Sequence, residues 1–174
     1  MDNISTQMLF IILGILILAS AYFSGSETGM MSLNRYRLRH LEKEKHKGAK
    51  RVSKLLERPD RLIGLILIGN NLVNIAASSI ATIIALRLAV DIGISKDLAL
   101  GIATIVLTLL VLIFAEVTPK TLAALYPEKV AFPSSIILTL LLKILFPFVI
   151  AVNWITNGIL MLLGISSEHV DEYS

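Results

Sequence analysis

The sequence predicts an all-α membrane protein of three transmembrane helices plus a juxtamembrane or re-entrant helical region. Three observations carry this. Hydrophobic residues fill 55% of 174 positions and the mean hydropathy is +0.78, too oily for an ordinary soluble domain of this size. Three apolar segments are each long enough to cross the hydrocarbon core, which takes about 20 residues. Between the first two of these segments the chain becomes strongly basic, as loops on the inner side of a membrane do.

The charge asymmetry is large. From Asn34 to Arg61 there are eleven of the sixteen basic residues against Glu42, Glu44, Glu57 and Asp60, so this stretch is +7 and the rest of the chain −4. Such a run can bind nucleic acid, but its place between two spans makes the positive-inside rule the better account, and no nucleic-acid partner is expected. The loop is therefore read as cytoplasmic and the N-terminus as outside. The chain has no cysteine, which excludes disulfides, thiolate metal sites and cysteine nucleophiles.

Segment one covers about residues 6–33. It is read as a retained helix and not a signal peptide, because Asp2 and no Lys or Arg precedes it and the apolar run is too long for an h-region. The basic loop, about residues 34–60, has apolar residues at Leu38, Leu41, Val52, Leu55 and Leu56. That spacing predicts two short amphipathic helices divided near Lys47-Gly48, lying on the membrane surface or a partner subunit; a solvated loop with no further role is the alternative. Pro59-Asp60 opens segment two, about residues 61–90. Its Ala76, Ala77, Ser78, Ser79 and Ala81 form a small-residue face on which another helix can pack.

A short outer turn follows, and segment three covers about residues 98–125, apolar until Glu116. The region at about residues 131–165 is harder. Pro133 opens it, Lys143 interrupts it and Pro147 divides it into halves that are marginal for spanning. A bent re-entrant or juxtamembrane pair is expected; a fourth span would leave the acidic tail, residues 168–174, outside. The chain is expected to be part of a longer protein with a soluble region after it.

Each of the three spans has a polar break: Ser24-Gly25-Ser26-Glu27-Thr28, then Gly69-Asn70-Asn71-Leu72-Val73-Asn74, then Glu116-Val117-Thr118-Pro119-Lys120. A carboxylate at bilayer depth costs roughly 2.5 to 3.5 kcal/mol on insertion scales, so it faces a cavity or a partner. Asn70 and Asn74 are one turn apart on one helix face, with Asn71 beside them. They could serve only as interhelical hydrogen bonds. Together with Ser hydroxyls, a carboxylate and freed backbone carbonyls, however, they make the oxygen set that a hard cation takes.

Glu116 supplies the charge, and Pro119 leaves the carbonyl of Ala115 without a helical donor. Pairing of Glu116 with Lys120 across one turn is the competing role. Gly25 weakens the first helix so that Ser24 or Ser26 can turn inward, although the two lie on different faces. Glu27 is placed in support of the site. His40, His46 and His169 fall in polar stretches with no hydrolytic arrangement, so no enzyme is expected. The ligand types favour Mg²⁺, Ca²⁺, Mn²⁺ or Na⁺ over Zn²⁺ or Cu²⁺.

The three motifs, in this order and around a basic loop, resemble the transmembrane domain of the CorC/CNNM magnesium transporter family, over essentially the whole chain. The resemblance implies a homodimer in the cell (inner) membrane that exports Mg²⁺ in exchange for Na⁺. It places the ion on Ser24, Asn70, Asn74 and Glu116; the breaks themselves put Gly25, Ser26, Glu27, Asn71, Pro119 and Lys120 in support. It also implies a cytoplasmic C-terminus leading into a pair of ATP-binding CBS modules, absent from residues 1–174. The alternatives are transport of another divalent cation, or a membrane-embedded sensor or scaffold that moves no ion.

Overall fold

In the computed structural model, which describes residues 4–164, every regular element is helical. The order is α1 (Thr6–Ser32), α2 (Arg35–Lys43), α3 (Lys47–Leu56), α4 (Pro59–Ile92), α5 (Lys96–Leu110), a π-helical stretch (Val111–Val117), α6 (Thr118–Leu125) and α7 (Pro127–Leu162). The caps follow local chemistry. Ser5 and Ser95 accept the backbone N–H groups of Met8 and Leu98, each at 3.2 Å, at the starts of α1 and α5. Gly93, at φ +85°, ends α4 in the left-handed conformation that glycine adopts without strain.

The helix count departs from the expectation of three spans plus a re-entrant region. Four helices are long and apolar enough to cross a membrane: Thr6–Ser32, Pro59–Ile92, Lys96–Leu125 with its π-helical stretch, and Pro127–Leu162. The last runs without a break through Pro133 and Pro147. A proline removes one main-chain bond, but the remaining bonds of an apolar helix have no competing water, so the helix continues past it. Many large apolar side chains, including Leu18, Leu72, Ile105 and Trp154, are exposed, as lipid-facing residues are. This is a membrane protein. The tail at residues 168–174 and His169 lie outside the described residues.

The chain divides into two compact units. The first combines the chain through Arg35 with Gly69–Ala131. In it α1 and α4 run antiparallel: Leu9 and Leu13 pack with Ala77, Ile80, Ala81 and Ile84, while Ser20, further along α1, meets Asn70, earlier in α4. Small residues make the approach close. A Cβ built on Gly69 would lie 2.6 Å from the Phe23 ring, so the ring occupies the space a side chain would need. Ala77 and Ala81 bear out the small-residue face, whereas Ser78 and Ser79 point away and are exposed. Ala85 and Ala89 continue the packing to Ala99 of α5.

The second unit combines Tyr36–Ile68 with the chain from Phe132 onward. The two amphipathic helices are present, and α3 is more than a solvated loop: Ala49, Val52, Leu55 and Leu56 are buried. His46 caps α3 by accepting the Ala49 N–H at 3.0 Å, and its ring lies 4.9 Å from that of Phe132. From there α7 follows the chain direction of α3 and then α4. Arg51 Nε donates to Ser135 Oγ at 3.0 Å, the Arg61 guanidinium sits 5.0 Å over the Phe146 ring, and Gly64 faces Val149 and Asn153.

Candidate functional site

All three polar breaks fall within the first unit, on α1, on α4 and on the helix that includes the π-helical stretch. α1 meets the other two through close glycine contacts. Gly69 receives the Phe23 ring, and a Cβ on Gly25 would meet Pro119 Cβ and its carbonyl oxygen at 3.5 Å. The turn containing Ser24 therefore lies against the turn that follows Glu116.

The hydroxyls of α1 differ in what they bond. Ser26 Oγ donates to the Tyr22 carbonyl at 2.6 Å, so its hydroxyl is used within its own helix. Ser24 Oγ is buried and has no hydrogen-bond partner. Ser20, one turn earlier and fully buried, donates to Asn70 Oδ1 at 2.7 Å. Sequence reasoning missed Ser20. A second Ser four residues before Ser24 in an oily helix was the available signal.

On α4, Asn71 is exposed, while Asn74 Oδ1 is buried without a partner. An unmade hydrogen bond at a buried polar atom costs roughly 1–3 kcal/mol. Ser24 Oγ and Asn74 Oδ1 thus both carry that cost, and Arg61 Nε is the one further buried orphan among the described residues. Because the helices are antiparallel with Ser20 level with Asn70, Ser24 and Asn74 lie one turn to either side of that bond, about 6 Å each way along the axis.

The third break is a π-helix. The Thr118 N–H bonds the Ile113 carbonyl, five residues back, widening the turn that carries Glu116 just before Pro119. Such bulges concentrate at functional sites because they aim a side chain and release backbone groups. Sequence reasoning placed a freed carbonyl at Ala115 and did not foresee the π-helical turn. Glu116 is mostly shielded and bonds Lys120 Nζ at 3.0 Å, the competing role noted above. Glu27 is half-buried and makes no hydrogen bond or ion pair among the described residues.

The structure therefore puts the four residues Ser24, Asn70, Asn74 and Glu116 in one unit on three helices, of which α1 touches the other two, with no hydrogen bond between any two of them. Asn70 is held by Ser20 and Glu116 by Lys120, and two oxygens remain unsatisfied. No group of three or more His, Asp or Glu side chains gathers among the described residues. What the region offers is neutral oxygens with one or two carboxylates.

Residues 11–174 match the family model described as the Cyclin M transmembrane N-terminal domain, CNNM. The chain belongs to this family. Its similarity to the CorC/CNNM proteins covers the whole membrane region. The UPF0053 inner membrane protein YfjD of Escherichia coli is 57% identical over 98% of this chain, and a UPF0053 protein of Haemophilus influenzae is 53% identical over 97%. A Haemophilus influenzae relative named polyamine export protein is 31% identical over 90%. The chain spans about two fifths of the length of these relatives, 38% to 39%.

Proposed function

We propose that this CNNM domain carries Mg²⁺ through the membrane, exporting it in exchange for Na⁺. The observation that supports this most is the pair of buried, unpartnered oxygens, Ser24 Oγ and Asn74 Oδ1, in the same compact unit as Asn70 and the π-helical Glu116. A buried acceptor without a donor is stabilised by a cation. Neutral oxygens and a carboxylate suit a hard one. In this reading Glu116 exchanges Lys120 for the ion, and Ser24, Asn70 and Asn74, about a turn apart along the axis, replace its hydration water in succession as it passes. Mg²⁺ holds its water tightly and requires near-octahedral geometry, so selectivity comes from a small, rigid closed state. The working form is a homodimer in the inner membrane. Its basic segment is cytoplasmic, and CBS modules regulate it in the longer protein.

Reconstituted into liposomes holding a Mg²⁺ indicator, the protein should move Mg²⁺ under an opposing Na⁺ gradient. Glu116→Gln should abolish that flux while the fold survives. Equal flux from Glu116→Gln would remove the carboxylate from the site, and no flux from the unsubstituted protein under any gradient would favour the scaffold. A second reading has one supporting observation, the relative named for polyamine export. A polyamine is a chain of ammonium groups, and the unpaired Glu27 would be a second anchor beside Glu116. Competition of Mg²⁺ flux by spermidine separates the two.

A further inference from the structure

The second unit contains a cleft of about 470 Å³ whose lining combines cationic and apolar side chains. Arg51 and Lys54 come from α3, Arg58 from the link before α4, Arg61 from the first turn of α4, and Lys143 from the middle of α7. Glu57 is the one carboxylate in the lining, and Asp60 engages Arg58 through two hydrogen bonds at 3.1 and 3.2 Å. Among the described residues no carboxylate pairs with Arg51, Lys54, Arg61 or Lys143. Leu55, Leu142 and Phe146 form the apolar wall.

Two details turn this from a basic surface into a built site. Arg61 is held in place by stacking on Phe146, yet its Nε is buried and donates to nothing. Such a donor costs free energy that an anion would recover. Lys143 stands in an otherwise apolar helix, where a lysine is expensive unless it reaches water or a partner. The contacts of α7 explain its place. Phe132 and Ser135 meet α3, and Phe146 meets Arg61, so Lys143 sits at the level where the charged sequence ends and the apolar run of α4 begins. That level is a membrane interface.

We propose that this cleft binds the phosphate group of an anionic membrane lipid. The guanidiniums of Arg51 and Arg61 match phosphate oxygens in planar, forked geometry, and Lys54 and Lys143 add point charges. The wall of Leu55, Leu142 and Phe146 receives the first methylenes of the acyl chains, a contact that free phosphate does not make. The volume lies within the range of small-molecule sites. Bound lipid would join α3 to α7 and so stiffen the second unit.

The test uses native mass spectrometry and thermal melting of the protein in nanodiscs of phosphatidylcholine with or without phosphatidylglycerol. The protein should retain phosphatidylglycerol as a bound adduct and melt higher when it is present. Each cleft charge removed should weaken that preference about fivefold, so Arg61→Gln with Lys143→Gln should weaken it more than tenfold. Lys43→Gln with Lys45→Gln removes equal charge from exposed positions and should change it less than twofold. Lys143→Gln alone guards against misfolding, because this side chain is exposed and melting in pure phosphatidylcholine should not change. Equal losses in both double variants would overturn the site in favour of diffuse attraction. Retention of phosphatidylcholine as strong as that of phosphatidylglycerol would also overturn it. Displacement of the adduct by millimolar inorganic phosphate would assign the cleft to a soluble anion and overturn the lipid.

Discussion

The crossing of α1 with α4 and the π-helical stretch, and the cleft of α3, α4 and α7, are opposite in the same respect. The first buries an acceptor that lacks a donor, Asn74 Oδ1, together with an unpartnered hydroxyl, Ser24 Oγ; the second buries a donor that lacks an acceptor, Arg61 Nε. Each region is otherwise well packed, with glycines or aromatic rings filling the contacts. An apolar protein keeps unsatisfied polar atoms only where something outside the chain satisfies them or where they cost little. The sign of the missing partner therefore suggests the sign of the ligand: a cation in one region, an anion in the other.

Substitutions can break this contrast. The largest effect is expected for Asn74→Leu, which replaces an orphan amide by an apolar group of similar size. If the amide serves a cation, flux should fall by more than tenfold, the worth of a bond to a charged group, while the protein melts at the same temperature or higher. If the amide were only packing glue, melting would fall and the flux of the surviving protein would persist. Ser20→Ala should cost about 1–3 kcal/mol in denaturant unfolding, because it leaves Asn70 Oδ1 buried without its donor. A smaller loss would mean that Asn70 finds another partner. Lys120→Met is the gentlest test. Lys120 is about half exposed and its pair with Glu116 is worth about 1 kcal/mol or less, so freeing Glu116 should tighten cation binding up to about fivefold by titration calorimetry. Weaker binding would show that Lys120 belongs to the site instead of competing for it.

The three main breaks were legible because polar residues in an apolar run stand out without any knowledge of folding. Their consequences were not. Ser20 looked like one more small residue in an oily helix, and only the antiparallel register of α1 with α4 shows that it holds Asn70. Lys143 and Pro147 read as interruptions of the last apolar region, and the re-entrant pair expected there is one continuous helix, Pro127–Leu162. Lys143 could not be understood from α7 alone, since the residues that share its cleft come from α3 and the start of α4, more than eighty positions earlier.

By itself the sequence determined the helical class, the ends of the first three long helices within a few residues, the amphipathic pair in the basic segment and the family. These follow from composition and local periodicity, which are properties of neighbouring residues. The tertiary structure decided which hydroxyl stays unbonded, where a helix widens to a π-turn, and which charges face one another. Those depend on register between segments far apart in the chain, where one residue of slip turns a side chain to another face.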